Sequence, residues 1–195
     1  MHGLINRSIQ CFLRDTYGAD FWAEIVLESR LGFDNFEAML TYDPRLTEAV
    51  LDAAAELLRR PRDSILEDYG TYLVSHPNLE ALRRLLRFGG GSFVEFLQSL
   101  EDMRGRGQLA LPDLDLPDLV LVEEHPDHYQ LHCHGSTQGV GHVMMGLLRA
   151  MADDYGTLVL LEHSGKNELS ESLSIQLLDA RFAEGRRFDL AASGH

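Results

Sequence analysis

Lysine is almost missing from this chain of 195 residues: 16 of its 17 basic residues are arginine, and 31 acids oppose them, for a net charge of −14. Such a field repels polyphosphates, which sets aside a general nucleic-acid or anionic-membrane role. Cysteine is nearly as scarce. Cys11 and Cys133 lie far apart with no CxxC spacing, so they read as reduced thiols and not as a disulfide framework. No apolar run approaches the roughly 20 residues that span a bilayer. The start, MHGLINRSIQCFLRD, has neither a long apolar core nor a small-residue cleavage pattern, so a cytoplasmic protein is expected. GxSxG, HExxH and GxGxxG are all absent, and the acid pairs Asp153-Asp154 and Glu123-Glu124 read as solvated ends of elements. Gly89-Gly90-Gly91 lacks the Lys-Ser/Thr pair and preceding strand of a phosphate loop and reads as a helix-helix hinge. The chain is not expected to be an enzyme.

What is present is the composition of a folded soluble protein, 45% hydrophobic and 25% charged. A single domain over 1–190 is expected, helical to about 107 and sheet-containing from about 108 to 190, with a frayed tail at 191–195. Leu4, Ile5, Ile9, Phe12 and Leu13 set the first amphipathic helix, and Asp20 is read as the N-cap of a second. A third opens at Thr47 and closes at Pro61, a short one follows from about Asp63 to Val74, and Asn78 caps the next. From Ser92 to Arg106, residues Phe93, Phe96, Leu97, Leu100 and Met103 form one helical stripe, and the next position on that face is Arg104. After Gly107 the pattern turns to strands. Leu119 to Glu124 and His128 to His134 read as a hairpin through His125-Pro126-Asp127, and Leu158 to His163 and Ser172 to Leu178 as a second. Between them a helix turns Val140, Val143, Met144, Leu147, Leu148 and Met151 inward, and Arg149, Asp153 and Asp154 outward. Helices followed by strands around one helix give an α+β fold, with a helix packed on an antiparallel sheet.

The run FLQSLEDM followed by GR, LALPDL and LPDL, together with the opening MHGLIN and YGADFWAEI, resembles the heme nitric oxide/oxygen binding (H-NOX) family. That family includes the sensor domain of soluble guanylate cyclase. The resemblance covers nearly the whole chain and implies the H-NOX fold, a signalling role and a heme cofactor. It also implies a partner, such as a histidine kinase or a cyclic-nucleotide or cyclic-dinucleotide enzyme. In the family the residue just before Gly-Arg is the histidine that binds heme iron, and here it is Arg104, a permanent donor with no lone pair for iron. The family's Tyr-x-Ser-x-Arg, which holds the heme propionates, falls on Cys133, Gly135 and Thr137. Ile5, Ile9, Leu100, Met103, Pro117, Val143 and Leu147 fall where the family's heme-facing side chains lie.

Strand alternation puts Tyr129, Leu131 and Cys133 on one face and His128, Gln130, His132 and His134 on the other. The three histidines are candidates for zinc or copper, but their spacing is wide for a tetrahedral site, and no metal is expected. The first expectation is an H-NOX-like sensory or ligand-binding domain without histidine-ligated heme, whose apolar pocket holds a fatty-acid-like ligand or none. In the former case the ligand's carboxylate would pair with Arg104, while the default for this residue is exposure to solvent in the last helical turn or pairing with an acid of the chain itself. A heme-based NO/O2 sensor with another iron ligand and a ligand-free interaction module remain the alternatives.

Overall fold

Short polar or glycine signals set where several helices of the amino-terminal half begin. His2 accepts a hydrogen bond from Leu4 N (3.1 Å) and starts α1, Gly3–Tyr17. Gly18, at φ 100°, turns the chain into α2, Ala19–Glu28, so the break is made by the glycine and Asp20 lies inside the first turn instead of capping it. Helix α3, Pro44–Leu58, opens three residues before the expected Thr47. Asp43 caps it through Arg45 N (2.9 Å), and Pro44 takes the first-turn position that has no need of an N–H. Helix α4 is Arg62–Ser75, and the cap after it is His76, not Asn78, which leads through a 3₁₀ turn at Pro77–Leu79 into α5, Glu80–Arg87.

The expected continuous helix from Ser92 to Arg106 is in fact jointed. Ser92 caps α6, Phe93–Ser99, a 3₁₀ turn follows at Leu100–Asp102, and α7 runs Met103–Ala110, a few residues past the expected boundary near 107. The strands are β1 (Asp118–His125), β2 (His128–His134), β3 (Leu158–Lys166) and β4 (Ser170–Asp179), with α8 (Val140–Tyr155) between the two hairpins. They form one antiparallel sheet in the order β1-β2-β4-β3. This α+β arrangement matches the expectation. The computed structural model describes residues 1–110, 112–135, 138–166 and 170–185. Thr137 and the tail at 191–195 lie outside the described residues.

Two apolar clusters form the interior. One is helical, with Ile9, Phe12, Leu13, Trp22, Ile25, Phe36, Val50 and Ile65. The other joins Phe93, Phe96, Leu97 and Leu100 to Leu119, Leu131, Leu173 and Ile175 of the sheet and to Met144, Leu148 and Met151 of α8. The two halves meet where α4 crosses α8 at Gly70 and Gly146. A β-carbon at either position would collide with a backbone carbonyl of the facing helix, Val143 or Glu67. Only glycine permits so close an approach.

Asp154 is not on the solvated face expected of it. It is 3% exposed and ion-paired with Arg83 of α5, while Arg87 lies over the Tyr155 ring at 3.8 Å and donates to the Asp154 carbonyl. Helix α5 delivers the cations that make the burial of this carboxylate tolerable.

Candidate functional site

The α6–α7 segment presses Phe93, Phe96, Leu97 and Leu100 into the sheet cluster, and Met103 packs against that cluster while only partly buried. One residue on, Arg104 has left the interior. Its side chain is 42% exposed, with a guanidinium nitrogen 3.9 Å from Asp115 Oδ1. The 3₁₀ turn produces this by changing the residue spacing just before α7, so the stripe read from Phe93 to Leu100 does not carry Arg104 inward. The guanidinium is thus compensated within the chain, and the energetic motive for a carboxylate ligand on a buried, unpaired arginine is absent.

The residues expected to line a pocket divide between the two clusters. Ile5, Ile9 and Val143 belong with the helical one, and Leu100, Met103 and Leu147 with the sheet one. They are therefore divided between two cores and do not fill a single one. Ile9, Leu100 and Leu147 are buried, whereas Ile5, Met103, Val143 and Pro117 keep intermediate exposure. Pro117 lies opposite Gly135, the second of the three motif positions, where no side chain is present.

Cys133, the first motif position, is fully buried on the inner face of β2, and burial, with the Glu171 carboxylate beside it, pushes its thiol up to about 12. It is a neutral thiol at neutral pH. Its partner across β4 is Glu171, a buried carboxylate among apolar neighbours that the sequence reading passed over. Glu171 accepts hydrogen bonds from Gly139 N (2.6 Å) and Gly141 N (2.9 Å) at the start of α8, and lies 3.2 Å from His163 Nε2. The open amides and dipole of the helix N-terminus account for a buried acid there. His163 in turn stacks on His142 (centroids 4.7 Å apart, planes within 5°), and His142 reaches Glu67 of α4 at 3.3 Å. One chain of polar contacts thus runs from β4 through β3 and α8 to α4. Alternation along β4 carried the signal: Glu171, Leu173, Ile175 and Leu177 share one parity, so the acid shares the core face.

His128, His132 and His134 share the outer face of β2, as alternation required. The rings of His132 and His134 are 6.3 Å apart, and His132 Nδ1 lies 2.9 Å from Ser172 Oγ. Among the described residues, no three His, Cys, Asp or Glu side chains are grouped to hold a metal. Among the described residues, too, no helix is long and apolar enough to cross a membrane.

Residues 2–163 match the family model described as Haem-NO-binding. Among curated relatives, the soluble guanylate cyclase gcy-31 of Caenorhabditis elegans is 23% identical over 163 residues, covering 83% of this chain and 23% of that protein. The rat guanylate cyclase soluble subunit beta-2 is 25% identical over 93 residues, covering 48% of this chain and 14% of that one. The chain thus spans about a quarter or less of the length of these relatives. Among solved structures, an Fe(II) unliganded H-NOX protein from K. algicida superposes with a TM-score of 0.76 at 19% identity, covering 97% of this chain and all of that one. A Cs H-NOX mutant gives 0.77 at 15% identity, over 94% of this chain and all of that one.

Proposed function

This chain belongs to the Haem-NO-binding, or H-NOX, family, and from that premise we propose that it is a sensory, ligand-binding domain that does not hold a histidine-ligated heme. The observation that carries the reading is Arg104. At the position the resemblance assigns to the iron ligand stands a half-exposed guanidinium directed at Asp115, which offers iron no lone pair. The neighbouring positions agree. Cys133 is a buried neutral thiol, and Gly135 brings no side chain to a propionate. The residues present do not fit the family's heme.

The apolar side chains at the positions the resemblance assigns to the pocket would suit a nonpolar ligand. A fatty acid would gain little from Arg104, since its carboxylate would displace that of Asp115 and exchange one ion pair for another at a half-exposed site. Output passes to a partner protein such as a histidine kinase or a cyclic-nucleotide or cyclic-dinucleotide enzyme in the cytoplasm. The relatives named guanylate cyclases, in which the matched part is a minor share of the length, support that reading.

The test is an absorption spectrum of the chain produced with ample heme supply, followed by hemin titration of the purified protein. No stoichiometric Soret band is expected. A band at one heme per chain would overturn the proposal and favour a sensor whose iron is held by another residue.

A further inference from the structure

At the end of the sheet farthest from the Cys133–Glu171 pair, the core face of β1 and β2 runs out against α6 and the 3₁₀ turn. There a pocket of about 180 Å³ opens to solvent, lined by Gln98, Glu101, Leu121, Glu123 and Tyr129. Cross-strand pairing sets Glu123 beside Tyr129, on the inner face where Leu121 pairs with Leu131. Glu101, in the 3₁₀ turn, accepts a hydrogen bond from Leu121 N at 3.0 Å, which ties the turn to β1. The Tyr129 side chain is the unusual feature. The residue is only 6% exposed, yet it lines the pocket, and its hydroxyl makes no hydrogen bond to any described residue.

We infer that this pocket is a binding site for an alkylammonium or guanidinium cation. Two carboxylates from different elements flank it, and the Gln98 amide and Tyr129 hydroxyl offer neutral acceptor oxygens for a cation's N–H groups. The Tyr129 ring also forms part of the wall, and the electron-rich π face of such a ring attracts cations. Burial, and then the fields of Glu123 and Asp127, hold the Tyr129 phenol above its ordinary range, so it stays protonated and able to accept. A cation held there bridges β1 to the turn that leads into Met103 and Arg104, so its binding fixes where α7 starts. The cation is either a free amine or the basic side chain of a partner protein, and the chemistry of the site is the same for both. The inference is independent of whether a nonpolar ligand binds this chain.

The test is a backbone-amide NMR titration of the full chain with two probes, ethylguanidinium chloride and the blocked tripeptide acetyl-Gly-Arg-Gly-amide, against sodium chloride at matched ionic strength. Both probes are expected to shift the amides of Leu121, Glu123 and Tyr129 saturably, while sodium does not. Tyr129→Phe and Glu123→Gln are each expected to raise the dissociation constant at least fivefold, with the amide spectrum of the helical half unchanged. Binding of the tripeptide at least tenfold tighter than ethylguanidinium assigns the site to a partner's side chain, and any smaller ratio assigns it to a free amine. Absence of saturable shifts at these amides with both probes overturns the inference. So does equal affinity in a folded Tyr129→Phe, Glu123→Gln double variant.

Discussion

Removal of the Glu171 carboxylate is expected to be among the most destabilising single changes in the sheet. Its two oxygens take Gly139 N at 2.6 Å and Gly141 N at 2.9 Å, in a place where the residue is 4% exposed. Glu171→Ala leaves both amides without that acceptor and opens a void beside Cys133. A buried donor left unsatisfied costs about 1–3 kcal/mol, and loss of the anion at a helix N-terminus adds about 0.3–2 kcal/mol. Allowing for a water that enters and restores part of one bond, the loss is about 3–5 kcal/mol. For a chain of this size about 1 kcal/mol corresponds to roughly 2–4 °C, so the melting temperature falls by roughly 6–20 °C. Glu171→Gln keeps one acceptor oxygen and loses the charge, and it costs about half as much. Urea denaturation followed by circular dichroism measures both. If Glu171→Ala loses less than about 1 kcal/mol, the carboxylate is not what anchors the start of α8, and the account of its burial fails.

The two thiols should separate by reactivity: at pH 8 a thiol reagent modifies the partly exposed Cys11 and spares Cys133, and both react in denaturant. Because folding raises the Cys133 thiol from the ordinary value near 9 to about 12, its contribution to stability is complete below pH 9 and is lost as pH climbs toward 12. Denaturation midpoints at pH 8 and pH 10.5 should therefore converge in Cys133→Ala relative to wild type, and an unchanged difference would contradict the assignment. Gly146→Ala forces a β-carbon into the Glu67 carbonyl and is expected to cost at least about 3 kcal/mol, whereas Gly105→Ala, which meets nothing, stays within about 0.5 kcal/mol; denaturant melts compare them. Arg104→His places a lone pair at the position the family resemblance assigns to iron, so hemin titration should give it tighter uptake and a changed spectrum, and identical curves for variant and wild type would show that this residue is not the missing ligand.

Much of the fold was legible because burial follows simple periods. The alternation of Tyr129, Leu131 and Cys133 against three histidines gave the two faces of β2, and Pro126-Asp127, with Asp127 at φ 64°, marks the hairpin turn. Helix starts were read less well. Asp20 and Thr47 are good capping residues in isolation, but Gly18 and Asp43 had already turned the chain, and local preference gives way to whichever signal acts first. The joint at Leu100–Asp102 was illegible from period alone, since α-helical and 3₁₀ spacing differ by about half a residue per turn and the stripe is too short to tell them apart. Asp154 and Glu171 were misread or missed for a common reason. An acid in an element is solvated by default, and its burial depends on donors far away in sequence, Arg83 for one and the start of α8 for the other.

The joint between α6 and α7 has a mechanical consequence. At about 1.5 Å per residue, the eight residues of Met103–Ala110 make a rod about 12 Å long pivoted at the 3₁₀ turn. A swing of about ten degrees at that pivot carries the far end through about 2 Å, while Arg104, next to the pivot, moves by only a few tenths of an ångström. The far end bears Leu109, the most exposed large apolar side chain among the described residues at 88%. Any bend at the turn, where Leu100 is buried against the sheet, would therefore emerge magnified at an oily tip that stands in water.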